Sequence, residues 1–136
     1  MKKTAVHIIL PLVMLFLIFV VWYSTPEHKV KRFVEINSAG FSKIVDEKLT
    51  IPAMFNGKKV DVWNREHSMY EFTLSAWGDT YYGCYYSPDD VPLPFQNCQT
   101  PLIGDGQGGW NWSAEGDNHG TTWKIADKWY YFEASF

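Results

Sequence analysis

Three groups of residues in this 136-residue chain have the types and spacing to do chemistry. The first is aromatic. Trp77, Tyr82, Tyr86, Trp110 and Trp112 lie in or beside short alternating segments that also hold Tyr81, Tyr85, Trp123, Trp129, Tyr130 and Tyr131. Adjacent strand residues point to opposite faces, so the pairs 81/82, 85/86 and 130/131 each send one ring to each side. An exposed ring is a flat apolar platform with a polar tip. The C–H face of a sugar can stack on it while nearby carboxylates accept hydroxyl hydrogen bonds. Those first five residues are the candidate platform for a cell-envelope polysaccharide. The competing reading is that both sheet faces are covered, by a helix on one side and loops on the other, which makes the rings core.

The second group is a set of hard oxygen ligands in turns. Asp105, Glu115 and Asp117, with Asp89, Asp90 and Asn118, are of the type that binds Ca²⁺. The 105–109 segment lacks the spacing of an EF-hand loop, and turns collect Asp, Asn and Gly for backbone reasons alone. No cofactor is expected beyond this one Ca²⁺ candidate.

The third group is the thiols and imidazoles. Cys84 and Cys98 are the only cysteines. Between them lie Pro88, Pro92 and Pro94, the signature of an irregular loop. In an extracytoplasmic domain such a pair reads as one disulfide, contributing about 3 kcal/mol. Two thiols alone do not make a zinc pattern. His28, His67 and His119 are isolated, and Glu66-His67 has no second histidine at metalloprotease spacing. No nucleophile elbow or phosphate loop is present, so the chain does not read as an enzyme. A small hydrolase would need a pocket joining His119 to Glu115 or Asp117. Asn111-Trp112-Ser113 fits the N-glycosylation pattern.

These residues must be positioned by short elements. Segments 30–34 and 41–45 have helical spacing around an Asn37-Ser38-Ala39-Gly40 break, predicting one or two short helices after a polar tether over 24–29. From residue 51 the period becomes two. Asn56-Gly57 predicts a type I′ hairpin with 55 opposite 58, placing Ile51, Ala53, Phe55, Val60 and Val62 on one face. Pro52 puts this hairpin at a sheet edge. A second hairpin turns at Gly78-Asp79. Pairing 77 with 80 groups Phe72 and Leu74 with Tyr81 and Tyr85, and sends Thr73, Ser75, Tyr82 and Cys84 to the other face. Residues 87–109 are irregular. Residues 110–112 form a short strand, and 121–134 a last hairpin. The fold class is all-β or β-rich α+β, a small antiparallel sheet or barrel-like domain.

Residues 5–23 stand apart. Seventeen of these 19 are apolar and none is Asp, Glu, Lys or Arg. At 1.5 Å per residue they extend roughly 28 Å, enough to cross a hydrocarbon core. Trp22 and Tyr23 fit an interfacial aromatic belt, and their bulk spoils a signal-cleavage site. The expected organisation is a single-pass signal-anchor over 1–23, a tether and short helical segment over 24–48, and a β domain over 49–136. Lys2 and Lys3 favour an inside N-terminus, whereas Lys29, Lys31 and Arg32 oppose it. The expectation adopted is a domain outside the cytoplasm.

Charge sharpens the division. Residues 24–69 carry 8 basic and 6 acidic side chains, whereas 70–136 carry 2 and 9. An acidic, aromatic distal part excludes a nucleic-acid binder, which needs a basic face. The expected partners are the bilayer and either an envelope polysaccharide or a membrane protein. The functional expectation is a membrane-anchored binding or assembly module, the alternative a structural or accessory subunit of a membrane complex.

Overall fold

The computed structural model describes residues 2–65 and 69–136, apart from the side chains of residues 2–8, 65 and 97. Helices α1 (Lys2–Tyr23), α2 (Pro26–Ile36) and α3 (Ser38–Asp46) precede eight strands. The strands are β1 (Ala53–Phe55), β2 (Lys58–Arg65), β3 (Met69–Trp77), β4 (Thr80–Tyr86), β5 (Ile103–Gly104), β6 (Gly109–Ser113), β7 (His119–Ala126) and β8 (Trp129–Ser135).

All eight join one antiparallel sheet in the order β1-β2-β3-β4-β8-β7-β6-β5. It is two four-stranded meanders joined along β4 and β8, with β1 and β5 as edges. The architecture is therefore an open β-rich sheet with helices. The first hairpin has the predicted register, Phe55 opposite Lys58, and its turn residues Asn56 and Gly57 both have the positive φ of a type I′ turn. Ile51 departs from expectation: it lies before β1 and is exposed, because pairing begins only at Ala53.

The second hairpin departs in an instructive way. Trp77 does pair with Thr80, but the register shifts between Thr73 and Ser75. One extra residue on β3 at this bulge reverses the faces beyond it. Phe72 then lies opposite Cys84, so Phe72, Leu74, Tyr82 and Cys84 belong to one face and Tyr85 to the other.

Helices α2 and α3 cover the first face. Thr25 caps α2, its hydroxyl accepting the His28 N–H, and Pro26 supplies the first helical residue, where a missing donor costs nothing. The stretch expected to be a tether is thus helical from Pro26 onward. Val30, Val34, Phe41 and Ile44 pack on Val60, Val62, Phe72 and Cys84. Phe41 is fully buried, stacked on Phe55 at 4.5 Å and edge-on to Phe72 at 4.8 Å.

The segment from β4 to β5 covers much of the second face. Leu93, Phe95, Cys98 and Leu102 pack on Met69, Tyr85, Trp112, Tyr130 and Phe132. Its latch is a chain of hydrogen bonds. The Leu93 amide donates to the Tyr85 hydroxyl at 2.8 Å, and Thr122 donates to the Tyr131 carbonyl at 2.8 Å. Thr122 has spent its proton, so Tyr85 donates to Thr122, also at 2.8 Å. At the other end Asp90 accepts from the Lys128 amide, the Tyr130 hydroxyl and Lys124.

Over the described residues no single helix is long and apolar enough to cross a membrane. The stretch Ile9–Tyr23 qualifies only together with α2, from which it is bent by 64°. Every side chain from Ile9 to Tyr23 is exposed.

Candidate functional site

The sheet places the five expected platform residues in different environments. Trp112 is only 4% exposed and belongs to the second core, where its indole N–H finds no partner among the described residues. Trp110 packs beside that core, 6.4 Å from the Tyr130 ring. Tyr86 packs against the first core, edge-on to Trp129 at 5.3 Å. Tyr82 is also half-buried there. Trp77 alone is fully presented, 85% exposed at the end of β3. The reading in which both faces are covered therefore accounts for most of these rings, and they form no common platform.

The paired cysteines are a correction. Cys84 and Cys98 are free. They pack against cores on opposite faces of the sheet, Cys84 on β4 under the helices and Cys98 on the β4–β5 segment that covers the other face. The bulge in β3 and β4's alternation turn Cys84 away from the loop that carries Cys98. Burial, then the Glu71 charge, pushes the Cys84 thiol pKa up.

The Ca²⁺ candidates do not converge: Asp105, Glu115 and Asp117 form no metal-holding cluster, nor does any other set of acidic, His and Cys side chains among the described residues. Asp105 is occupied locally, its Oδ1 accepting the amides of Gln107 at 2.7 Å and Gly109 at 3.0 Å. Glu115 and Asp117 are exposed in a turn. His119 is exposed as well and its Nδ1 lies 2.6 Å from the Asp117 carbonyl, a contact that organises the turn rather than a catalytic pair. Glu66 and His67 lie outside the described residues.

Two clefts do gather chemistry. The first, of about 490 Å³, opens on the second face where the β4–β5 segment ends. Its rings are Trp63, Tyr81, Phe95 and Phe136, and its acids are Asp61, Glu71 and Asp79. Trp63 is 50% exposed, and Tyr81 and Phe136 are exposed too. The rings are held by one another: Phe136 sits 5.8 Å from Tyr81 and 5.3 Å from Phe95. Glu71 is fully buried and accepts the Gln96 amide at 2.9 Å, fixing the turn that carries Phe95. Asp61 faces Lys59 at 3.2 Å. Sequence reasoning missed Asp61 and Trp63, yet the signal is present. The alternation that puts Val60 and Val62 in the first core sends 61 and 63 to the opposite face.

The second cleft, of about 580 Å³, lies on the helix side. Pro26, Lys29, Val30 and Phe33 of α2 form one wall, Leu74, Ser75, Ala76, Trp77 and Tyr82 the other, and Lys58 closes it. It adjoins the α1–α2 elbow, where Trp22 packs on His28 at 3.9 Å and the Arg32 guanidinium lies 3.9 Å over the Tyr23 ring.

Comparison with protein-family models, with curated proteins and with solved structures gives no significant match.

Proposed function

We propose that this protein is a membrane-anchored binding module that engages an envelope polysaccharide through the acidic aromatic cleft of Trp63, Tyr81 and Phe136. The single observation that carries this reading is the cleft's makeup: exposed rings beside the carboxylates of Asp61 and Asp79. Ring faces take the apolar faces of sugars, and carboxylates take their hydroxyls. The platform is thus displaced from the residues favoured by sequence to a different set on the second face. The role is read as binding, since Glu71, the fully buried acid of the cleft, is tied to the Gln96 amide.

Anchoring is supported by α1. Its side chains from Ile9 to Tyr23 are 41–69% exposed and almost all apolar. A water-facing patch of that size is foreign to a soluble monomer. The sequence supports the same reading, its apolar run over residues 5–23 being 19 residues long.

The test is retention of the full chain, in mild detergent, on insoluble envelope polysaccharide. Trp63→Ala and Tyr81→Ala are each expected to weaken retention about three- to tenfold, the worth of one aromatic face contact. Trp110→Ala, away from the cleft, should leave it unchanged. Equal retention of all three variants would sink the reading. Stoichiometric co-purification of a membrane protein that masks Trp63 would favour the accessory-subunit alternative instead.

A further inference from the structure

We infer that the helix-side cleft is a seat for the headgroup of an anionic phospholipid, a reading that rests on the membrane anchoring proposed above. Three independent features meet there. Lys29 and Lys58 are exposed on its rim, and no acidic residue among the described ones lines it. Its floor is apolar and aromatic, with Val30, Phe33, Leu74 and Tyr82. Trp77 stands at its edge, 85% exposed.

Position supplies the occupant. Pro26, a lining residue, begins α2 with only Ser24 and Thr25 between it and the end of α1 at Tyr23. With α1 in the bilayer, this cleft sits at the level of the headgroups. Lysine stems lie along apolar surface while their ammonium groups reach phosphate, and tryptophan prefers that same interfacial zone. Lys58 is already set for this, its ammonium 5.6 Å above the Phe33 ring. Other charges nearby are engaged elsewhere. Arg32 stacks on Tyr23, and Glu133, opposite Tyr82 on the sheet, takes the Tyr131 hydroxyl at 3.2 Å. Glu27 lies in the first turn of α2 but outside the lining.

Headgroup and anchor can be tested separately on the full chain. Vesicles of phosphatidylcholine carrying the protein are washed with alkaline carbonate, and retention reports the anchor. Lipid adducts of the detergent-solubilised chain are then titrated with phosphatidylglycerol or phosphatidylcholine and read by native mass spectrometry. The expected result is tighter binding of phosphatidylglycerol, by a factor of about five for each lysine engaged. Lys29→Gln and Lys58→Gln should each remove about one such factor, while Lys43→Gln, on α3 and paired with Glu47, changes nothing. Unchanged melting temperatures confirm that the variants fold. Retention without lipid preference overturns the headgroup seat and leaves the anchor standing. Loss of the chain in the wash overturns the anchor and, with it, the lipid as occupant. Displacement of the adduct by inorganic phosphate as effective as by lipid shows a free anion site and also overturns the lipid.

Discussion

At the scale of single residues, environment decides reactivity more than residue type does. Cys84 is fully buried, and burial favours its neutral thiol; Cys98 is half-buried at the margin of the opposite core. A thiol reacts as its thiolate, so the two should behave very differently. Titration of the folded chain with a maleimide at neutral pH, without reductant, is expected to label Cys98 readily and Cys84 only after unfolding. A single disulfide, silent until reduced, would contradict the packing. Cysteine spacing alone could not reveal this. Two thiols flanking a proline-rich loop look ready to close it, and only the direction of each side chain from its strand shows otherwise. The same holds for the rings. Trp112 and Trp63 are both tryptophans on strands, one nearly sealed and one half open. Trp63 betrays itself through the alternation of β2, whereas burial of Trp112 depends on a segment that crosses over it from elsewhere in the chain.

At the scale of elements, local patterns were legible where a turn fixes them. Asn56-Gly57 dictates both its turn and the edge hairpin around it, because few residues accept two consecutive positive φ angles. The apolar spacing over 30–34 and 41–45 marks α2 and α3 but not where α2 begins, since Thr25-Pro26 reads as tether and is a cap. The bulge in β3 left no such mark. Nothing within β3 announces it; the one trace is across the ladder, where Gly83 pairs with Thr73 and passes close to the Phe72 carbonyl, and the bulge shifts the partner of Phe72 by one position. Also illegible was the role of the β4–β5 segment. Its prolines identify irregular backbone but not that this backbone roofs a core. Its latch is the Tyr85 hydroxyl, which serves Leu93 on one side and Thr122 on the other. Tyr85→Phe keeps the ring stacked on Tyr130, 5.1 Å away, while leaving the Leu93 amide without its acceptor. The expected cost is about 1–3 kcal/mol in denaturant unfolding. Cleavage by a protease should increase within residues 88–94 before global unfolding. An unchanged digestion pattern would mean that the segment is held by its apolar contacts alone.

At the scale of the whole molecule, both pH limits of stability are written into the second face. Asp90 lies below the usual carboxylate range, chiefly through its hydrogen bond from Lys124 and then those from the Lys128 amide and Tyr130. A depressed carboxylate stabilises the fold above its unfolded pKa near 3.9, and that contribution is lost as pH falls through the lower folded value. At the other limit, Tyr130 is pushed up to about 12 by burial and then by Asp90. Burial likewise raises Tyr85 on that face and Tyr131 in the core under the helices. These phenols stay protonated in the fold after the unfolded chain begins to lose protons near pH 10. Stability should therefore be level from about pH 5 to 9, and fall from about pH 10 upward as phenolate accumulates in the unfolded chain. Equilibrium unfolding monitored by circular dichroism across that range checks it, and a melting temperature unaltered between pH 9 and 11 would refute it. The meeting of the two meanders has a further consequence, in time rather than in space. Strand β4 is complete at Tyr86, but its second neighbour starts only at Trp129. Until β8 emerges, the future centre of the sheet is an open edge, and neither core can close. Pairings so distant in sequence form slowly. Synthesis at about 5–20 residues per second leaves β4 waiting for some seconds. Under the anchoring proposed above, in which residues 5–23 enter a bilayer, that delay would leave the rest extended enough to be threaded across before it sets.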